Sequence, residues 1–269
     1  MSARLHSPRS VTVATTLVLA ASLAACSSSA PSEPEEQAGA DTVTIYLTRH
    51  GETMLNELDR VQGWSDSPLV GAGEEVAADL GEGLAEAGVE FTAAYSADMV
   101  RHFSTATIAL ETAGSDLDPI RDERLREVSF GRFEGAANEE MWSFAASELG
   151  YSDAGSMLGD GAFLEALDAI AAGSDGSDLT AETAAEVGER AVAALEDIAE
   201  STAEDGGGNV LVVSSGITIM VALGTLGADL SGVTAGIENA AVSELVYEDG
   251  EWTVETVNDL SYVEAGAGD

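Results

Sequence analysis

The chain has 269 residues, with 49 Asp and Glu against 10 basic residues, all of them arginine, for a formal charge of −39. A surface this negative repels nucleic acid and anionic lipid headgroups at long range, which argues against both as partners. The acids are spread along the chain and not grouped at ligand spacings, so they read as a solubilising surface for a saline medium, where salt screens self-repulsion within about 10 Å at 0.1 M.

Residues 1–25 place Arg4 and Arg9 ahead of an apolar stretch from Val11 to Ala25, long enough for a secretory signal core and short for a bilayer span. The stretch ends Leu23-Ala24-Ala25-Cys26, which resembles a bacterial lipobox. That resemblance implies that Cys26 is acylated and becomes the mature N-terminus, tethering the protein to the outer face of the bacterial cell membrane. Losing Arg4 and Arg9 with the signal takes the charge from −39 to −41. Cys26 is the only cysteine, so no intramolecular disulfide can form. Residues 26–41 are small, polar and proline-containing, the composition of a flexible tether. Folded structure is expected over 42–265 as one α/β domain, roughly 225 residues, enough to bury a sizeable core.

Residues 43–53, VTIYLTRHGET, run an apolar strand into Arg49, His50 and Gly51. The turn formers dense over 53–71 predict an irregular segment. Over 74–87 Val76, Leu80 and Leu84 fall on one helical face, although Gly81 and Gly83 each weaken that helix by about 1 kcal/mol relative to Ala. A short strand follows at Phe91–Ser96, then a helix over 99–113 that begins near Arg101. This alternation predicts a three-layer α/β/α sandwich with a mostly parallel sheet. Residues 119–135 form a basic island of four arginines. Residues 136–178, rich in Ala, Gly, Ser and Asp, carry apolar helical patches at Met141–Leu149 and Phe163–Ile170 and read as an insertion covering the site. A helix is predicted over roughly 181–200, a second signature strand over 209–214 running into Ser214, Ser215 and Gly216, and a helix over Ile217–Leu226. A hairpin over 241–248 and 251–257, turned at Asp249-Gly250, closes the domain.

A neutral imidazole is a good nucleophile toward phosphorus near neutral pH, and His50 sits at the end of an apolar strand where it would be held rigidly. Phosphoryl transfer spreads charge over oxygens that planar guanidinium groups stabilise well, and the leaving oxygen needs a proton from a carboxyl group. The RHGET strand end, with YSADMVR (95–101) and NVLVVSSG (209–216), resembles the signature of the histidine phosphatase superfamily, in its phosphoglycerate-mutase-like branch, from about Val43 to Tyr262. The resemblance implies that His50 becomes phosphohistidine and that Arg49, Arg101 and Asn56 bind phosphate. It also implies that Glu127, in RLREVSFGRFEG, moves the proton, with Glu134 its nearest rival, and that Arg60, Gln62 and Gly63 form a substrate loop. One position departs from the pattern: the family has a second histidine where this chain has Ser215, which can donate a hydrogen bond to phosphate but brings no charge. If that histidine acts like an oxyanion-hole donor, its loss costs about 3–4 kcal/mol, or 10² to 10³ in rate. His102 lies about 100° around the helix from Arg101 and is expected to point elsewhere. A smaller departure is Tyr262-Val263, where family members often carry a structural His-Leu pair.

The expected activity is therefore that of a membrane-tethered phosphatase, hydrolysing phosphomonoesters through phosphohistidine at a reduced rate. The alternative is a non-catalytic pseudophosphatase that binds a phosphorylated or anionic ligand through Arg49 and Arg101. A phosphoglycerate mutase is disfavoured, because an exported lipoprotein does not meet glycolytic intermediates. No cofactor is implied, and three histidines, one of them in the signal, with no cysteine pair offer no transition-metal site of usual spacing.

Overall fold

The computed structural model describes residues 41–174, 176–233 and 236–268, which belong to one unit. The signal segment, Cys26 and all of the tether except Asp41 lie outside the described residues. Strand β1 (Val43–Arg49) is buried along most of its length, as a β-branched and aromatic run covered on both faces should be. After it come α1 (Met54–Glu57), α2 (Gly71–Glu86), β2 (Phe91–Ser96), α3 (Val100–Thr112) and the two-residue β3 (Ile120–Arg121). The segment read as an insertion folds into α4 (Asn138–Glu148), α5 (Ala154–Gly159) and α6 (Phe163–Gly173). The chain then forms α7 (Ala184–Glu204), β4 (Gly208–Ser214), α8 (Gly216–Thr225), β5 (Val242–Glu248), β6 (Glu251–Val254) and α9 (Ser261–Gly266).

The sheet order is β3-β2-β4-β1-β5-β6. Strands β1 to β4 are mutually parallel, while β5 runs antiparallel to β1 and β6 to β5. Alternation along β1 sends Val43, Ile45 and Leu47 to one face, where Leu195 and Ile198 of α7 and Ile219 and Leu223 of α8 cover them. On the other face Tyr46, Leu211 and Val213 meet Leu80 and Leu84 of α2 and Ala106 and Leu110 of α3. Each such Leu or Ile contributes about 1.5–3 kcal/mol by leaving water. A separate cluster joins Met141, Met157, Leu167 and Ile170 of the insertion to Phe130, Phe133, Val187 and Val221. The three-layer α/β/α reading of the sequence holds.

Several differences from the sequence reading have local causes. The segment read as irregular contains α1, whose Thr53 and Asn56 cap each other, and α7 runs four residues beyond its expected end from a Thr183–Glu186 capping box. Elements α1, β3, α5 and α9 are two to six residues long, too short to show a period. The hairpin turns as expected, with Asp249 at φ 53° and Gly250 at φ 83°. Tyr262 of α9 donates to Glu244 at 2.6 Å and packs edge-on against Tyr46, so it holds α9 to the sheet.

The glycines that weaken α2 in isolation are what let it pack. A Cβ on Gly81 would lie 2.2 Å from Ala109 O, and one on Gly83 would lie 1.8 Å from Tyr262 O. Close backbone approach to α3 and α9 therefore overrides helix propensity. Gly83→Ala is expected to lower Tm by roughly 3–10 °C through overpacking, whereas Gly71→Ala, with nothing within 4 Å of its Cβ, leaves Tm unchanged or raises it. Thermal melts of the two variants check this, and equal effects would contradict it.

Candidate active site

The parallel register of β1 with β4 ends at Arg49↔Ser214, and the His50 N–H continues the ladder to Ser214 O at 3.0 Å. His50 and Ser215 therefore leave the sheet side by side, at the carboxyl ends of adjacent parallel strands, where open α/β sheets place their sites. Gly51 is obligatory there: a Cβ would meet Gly73 O at 2.2 Å. Its N–H donates to Thr105 Oγ1 at 3.0 Å, and Asn239 donates to His50 O at 2.7 Å, so the loop is pinned from both sides.

His50 is 3% exposed, and its Nδ1–H donates to Gly51 O at 2.8 Å. A carbonyl can only accept, so the proton is on Nδ1 and Nε2 presents a lone pair. Burial first, then the charges of Arg101 and Arg49, holds the His50 pKa well below the usual histidine value, opposed by the bond to Gly51. The ring is neutral and nucleophilic.

Arg49 donates through Nη1 to Ile237 O at 2.6 Å. Burial lowers its pKa, opposed by Glu127, Glu238 and Glu52. Glu127 is 7% exposed, and its carboxylate is fixed at the start of α8. Oε1 accepts from the N–H groups of Val128 and Thr218 and from Thr218 Oγ1 at 2.9–3.0 Å, while among the described residues Oε2 accepts only from Ile217 N–H at 3.1 Å. Oε2 is thus the oxygen with capacity left for a substrate or a water. Glu134 serves another purpose: it accepts from the N–H groups of Gly63, Trp64, Ser65 and Phe130 and clasps the 63–65 loop.

Arg49, His50, Asn56, Arg60, Gln62 and Glu127 line a cavity of about 640 Å³. Asn56 Oδ1 is occupied by Thr53, Gln62 bonds Thr53 and Ser67, and exposed Arg60 reaches Gly135 O at 3.4 Å. The rest of the lining is largely apolar, with Met141, Trp142, Leu158 and Phe163 and with Ile217 and Met220 from α8, and it includes Asp59 and Asn138. Three sequence candidates do not line this cavity. Arg101, fully buried, donates to Gly63 O at 2.8 Å, Ser65 O at 3.2 Å and Asp66 at 3.1 Å, and its Nε has no partner among the described residues. Gly63 has no room for a side chain, since a Cβ would meet Val128 O at 2.1 Å, and it acts as a carbonyl acceptor for Arg101. Ser215 is buried, with its hydroxyl 2.6 Å from His102 Nε2.

That last contact corrects the expectation for His102. Its ring packs edge-on against His50 with centroids 5.1 Å apart. The 100° offset from Arg101 carried no information here, because both residues in the first turn of α3 are enclosed. Sequence reasoning also missed Arg190, which pairs with Glu182 at 2.7 Å and donates to the carbonyls of Arg124, Arg126 and Glu127, bracing the segment that carries the carboxylate. No sequence motif marks it. The basic island is structural: Arg124 and Arg126 pair with Asp122, Asp197 and Asp98, while Arg121 and Arg132 lie over Phe103 and Phe133.

A neutral histidine at a strand end, an arginine before it and a carboxylate across the same cavity make up a set suited to phosphoryl transfer. Residues 45–156 and 161–260 match the histidine phosphatase superfamily (branch 1), and the chain belongs to that family, whose members are phosphatases and mutases. It is 33% identical over 234 residues to the probable phosphoglycerate mutase GpmB of Salmonella paratyphi A, covering 83% of this chain and 96% of that one. The crystal structure of a phosphoglycerate mutase from Bacillus anthracis superposes with a TM-score of 0.77 at 41% identity, covering 84% of this chain and 97% of the other. Bacillus stearothermophilus YhfR gives 0.64 at 27%, over 82% and 99%.

Both site histidines are held neutral, so neither should titrate near the ordinary value of 6.5. Lowered pKa values mean that acid must fall well below that value before either ring charges. In NMR titrations, with signals assigned through His→Gln variants, His50 and His102 should stay fixed between about pH 8 and pH 6 while free imidazole added as a reference moves. A His50 midpoint at 6.5 or above would contradict the burial argument.

Proposed function

We propose that this protein is a phosphatase for small phosphomonoesters with an apolar or aromatic leaving group, working through phosphohistidine on His50. The observation that carries the reading is the cavity itself, which His50, Arg49 and Glu127 line together with Met141, Trp142, Leu158 and Phe163. His50 Nε2 attacks phosphorus as the bond to the leaving oxygen breaks, and a proton on Glu127 Oε2 passes to that oxygen. Arg49 takes up charge on the phosphoryl oxygens, and Arg101 adds a second positive charge close to His50. Water then gives its proton to Glu127 Oε2 and attacks the phosphohistidine, releasing phosphate and restoring His50. The relatives named phosphoglycerate mutases act on a substrate with an additional carboxylate. Arg49 and Arg60 are the two cations lining this cavity, and Asp59 and several apolar side chains share the lining with them, which favours hydrolysis of a less charged ester.

The leader and Leu23-Ala24-Ala25-Cys26 support a location on the outer face of the cell membrane, anchored by lipid on Cys26. An aryl phosphate assay on membrane and soluble fractions tests the whole reading. Activity is expected with the membranes, moving to the soluble fraction in Cys26→Ser. It should fall about 10⁴-fold or more in His50→Ala, and Trp142→Ala should raise KM more than it lowers kcat. Wild type no better than His50→Ala would defeat the proposal.

A further inference from the structure

Ser215 leaves the family's second histidine position without an imidazole, yet an imidazole stands beside it. His102 comes from the first turn of α3, and Ser215 is the residue immediately before α8. Their side chains meet at 2.6 Å, Nε2 to Oγ, and both residues are 0% exposed. The Ser215 hydroxyl makes no capping bond to its own helix, the usual work of a serine in that position. It is committed instead to a residue 113 positions away. The other face of the contact is His50, against whose ring His102 packs edge-on at 5.1 Å.

We propose that His102 is the second histidine of this site, supplied from α3 instead of from the end of β4, and that it works through Ser215. In this role, which rests on the His50 phosphatase reading above, His102 is a positioning residue: it fixes the His50 ring from the side and orients the Ser215 hydroxyl. The direction of the bond follows from the rest of the ring. His102 Nδ1 is buried without a partner among the described residues. A proton there would be an orphaned buried donor, which is rarer and costlier than a bare ring lone pair. The proton therefore sits on Nε2 and is donated to Ser215 Oγ. The serine keeps its own hydrogen at the end of β4, the strand paired with the one that delivers His50. Burial, the Arg101 charge and His50 all hold His102 neutral, as this arrangement requires. A histidine simply added at 215 has no place to go, because His102 already occupies the space against the Ser215 hydroxyl.

Reciprocal substitution in the full chain, with an aryl phosphate as probe, separates this arrangement from mere packing. Ser215→Ala removes one oxygen and should lower kcat about 10- to 100-fold with little change in KM or Tm. His102→Phe fills the same volume without the hydrogen bond and should lower kcat by about 10² to 10³. Ser215→His alone should also be impaired, and the His102→Ala/Ser215→His pair should recover kcat to wild type or above. Should His102→Phe fail to fold by circular dichroism, the Ser215→Ala result and the double variant still decide. Wild-type kcat in Ser215→Ala or in folded His102→Phe would overturn the proposal, as would Ser215→His alone matching or exceeding wild type. If wild type is itself no better than His50→Ala, it is the phosphatase reading that has failed.

Discussion

The site depends on the parallel pairing of β1 with β4, in register from Val43↔Gly208 to Arg49↔Ser214. Each strand is buried on both faces by apolar side chains, and a slip of one residue would send Ile45 and Leu47 to the wrong layer. Register is thereby fixed by the core, and the chemistry inherits its geometry. His50 and Ser215 emerge as neighbours because the last ladder bond, His50 N–H to Ser214 O, is made one residue past the strand. The first turn of α3 closes on the same point from the side, with Thr105 Oγ1 on Gly51 N–H and His102 on Ser215.

Charge is distributed with similar economy. The chain has eight arginines beyond the leader against 49 acids, and most of the eight hold structure. Arg101 ties the 63–66 loop, Arg124, Arg126 and Arg190 brace the approach to Glu127, and Arg121 and Arg132 lie over aromatic rings. The exposed Arg124–Asp197 pair contributes about 0–1 kcal/mol, so its value lies in geometry more than in stability. Arg49 and Arg60 are left to face the cavity, beside a largely apolar lining.

The layers and the strand ends were legible because they rest on periodicity and on local motifs. The β1 run into Arg49-His50-Gly51, the α7 stripe of Val187, Ala191, Leu195 and Ile198, and the Asp249-Gly250 turn are all short-range signals. What was not legible came from tertiary encounters. Gly81 and Gly83 look like helix breakers until α3 and α9 are packed on them. Glu127 and Glu134 are indistinguishable as carboxylates seven residues apart, and only the folded loop gives one to the cavity and the other to the Gly63–Ser65 amides. His102 is the sharpest case. A helical wheel assigns it a face by angle alone, but the first turn of α3 meets Ser215 at the end of β4, where both residues are fully buried.

The central claim is that His50 carries the phosphoryl group, and direct trapping of the phosphoenzyme is its most immediate measurement. Protein mixed with an aryl phosphate and quenched in alkali, which preserves phosphohistidine, should gain one phosphoryl group per chain by intact mass. Peptide mapping should locate it on His50, and Glu127→Gln should increase its occupancy by slowing the hydrolytic step. No label at all, or an acid-stable label on Ser215, would contradict the account.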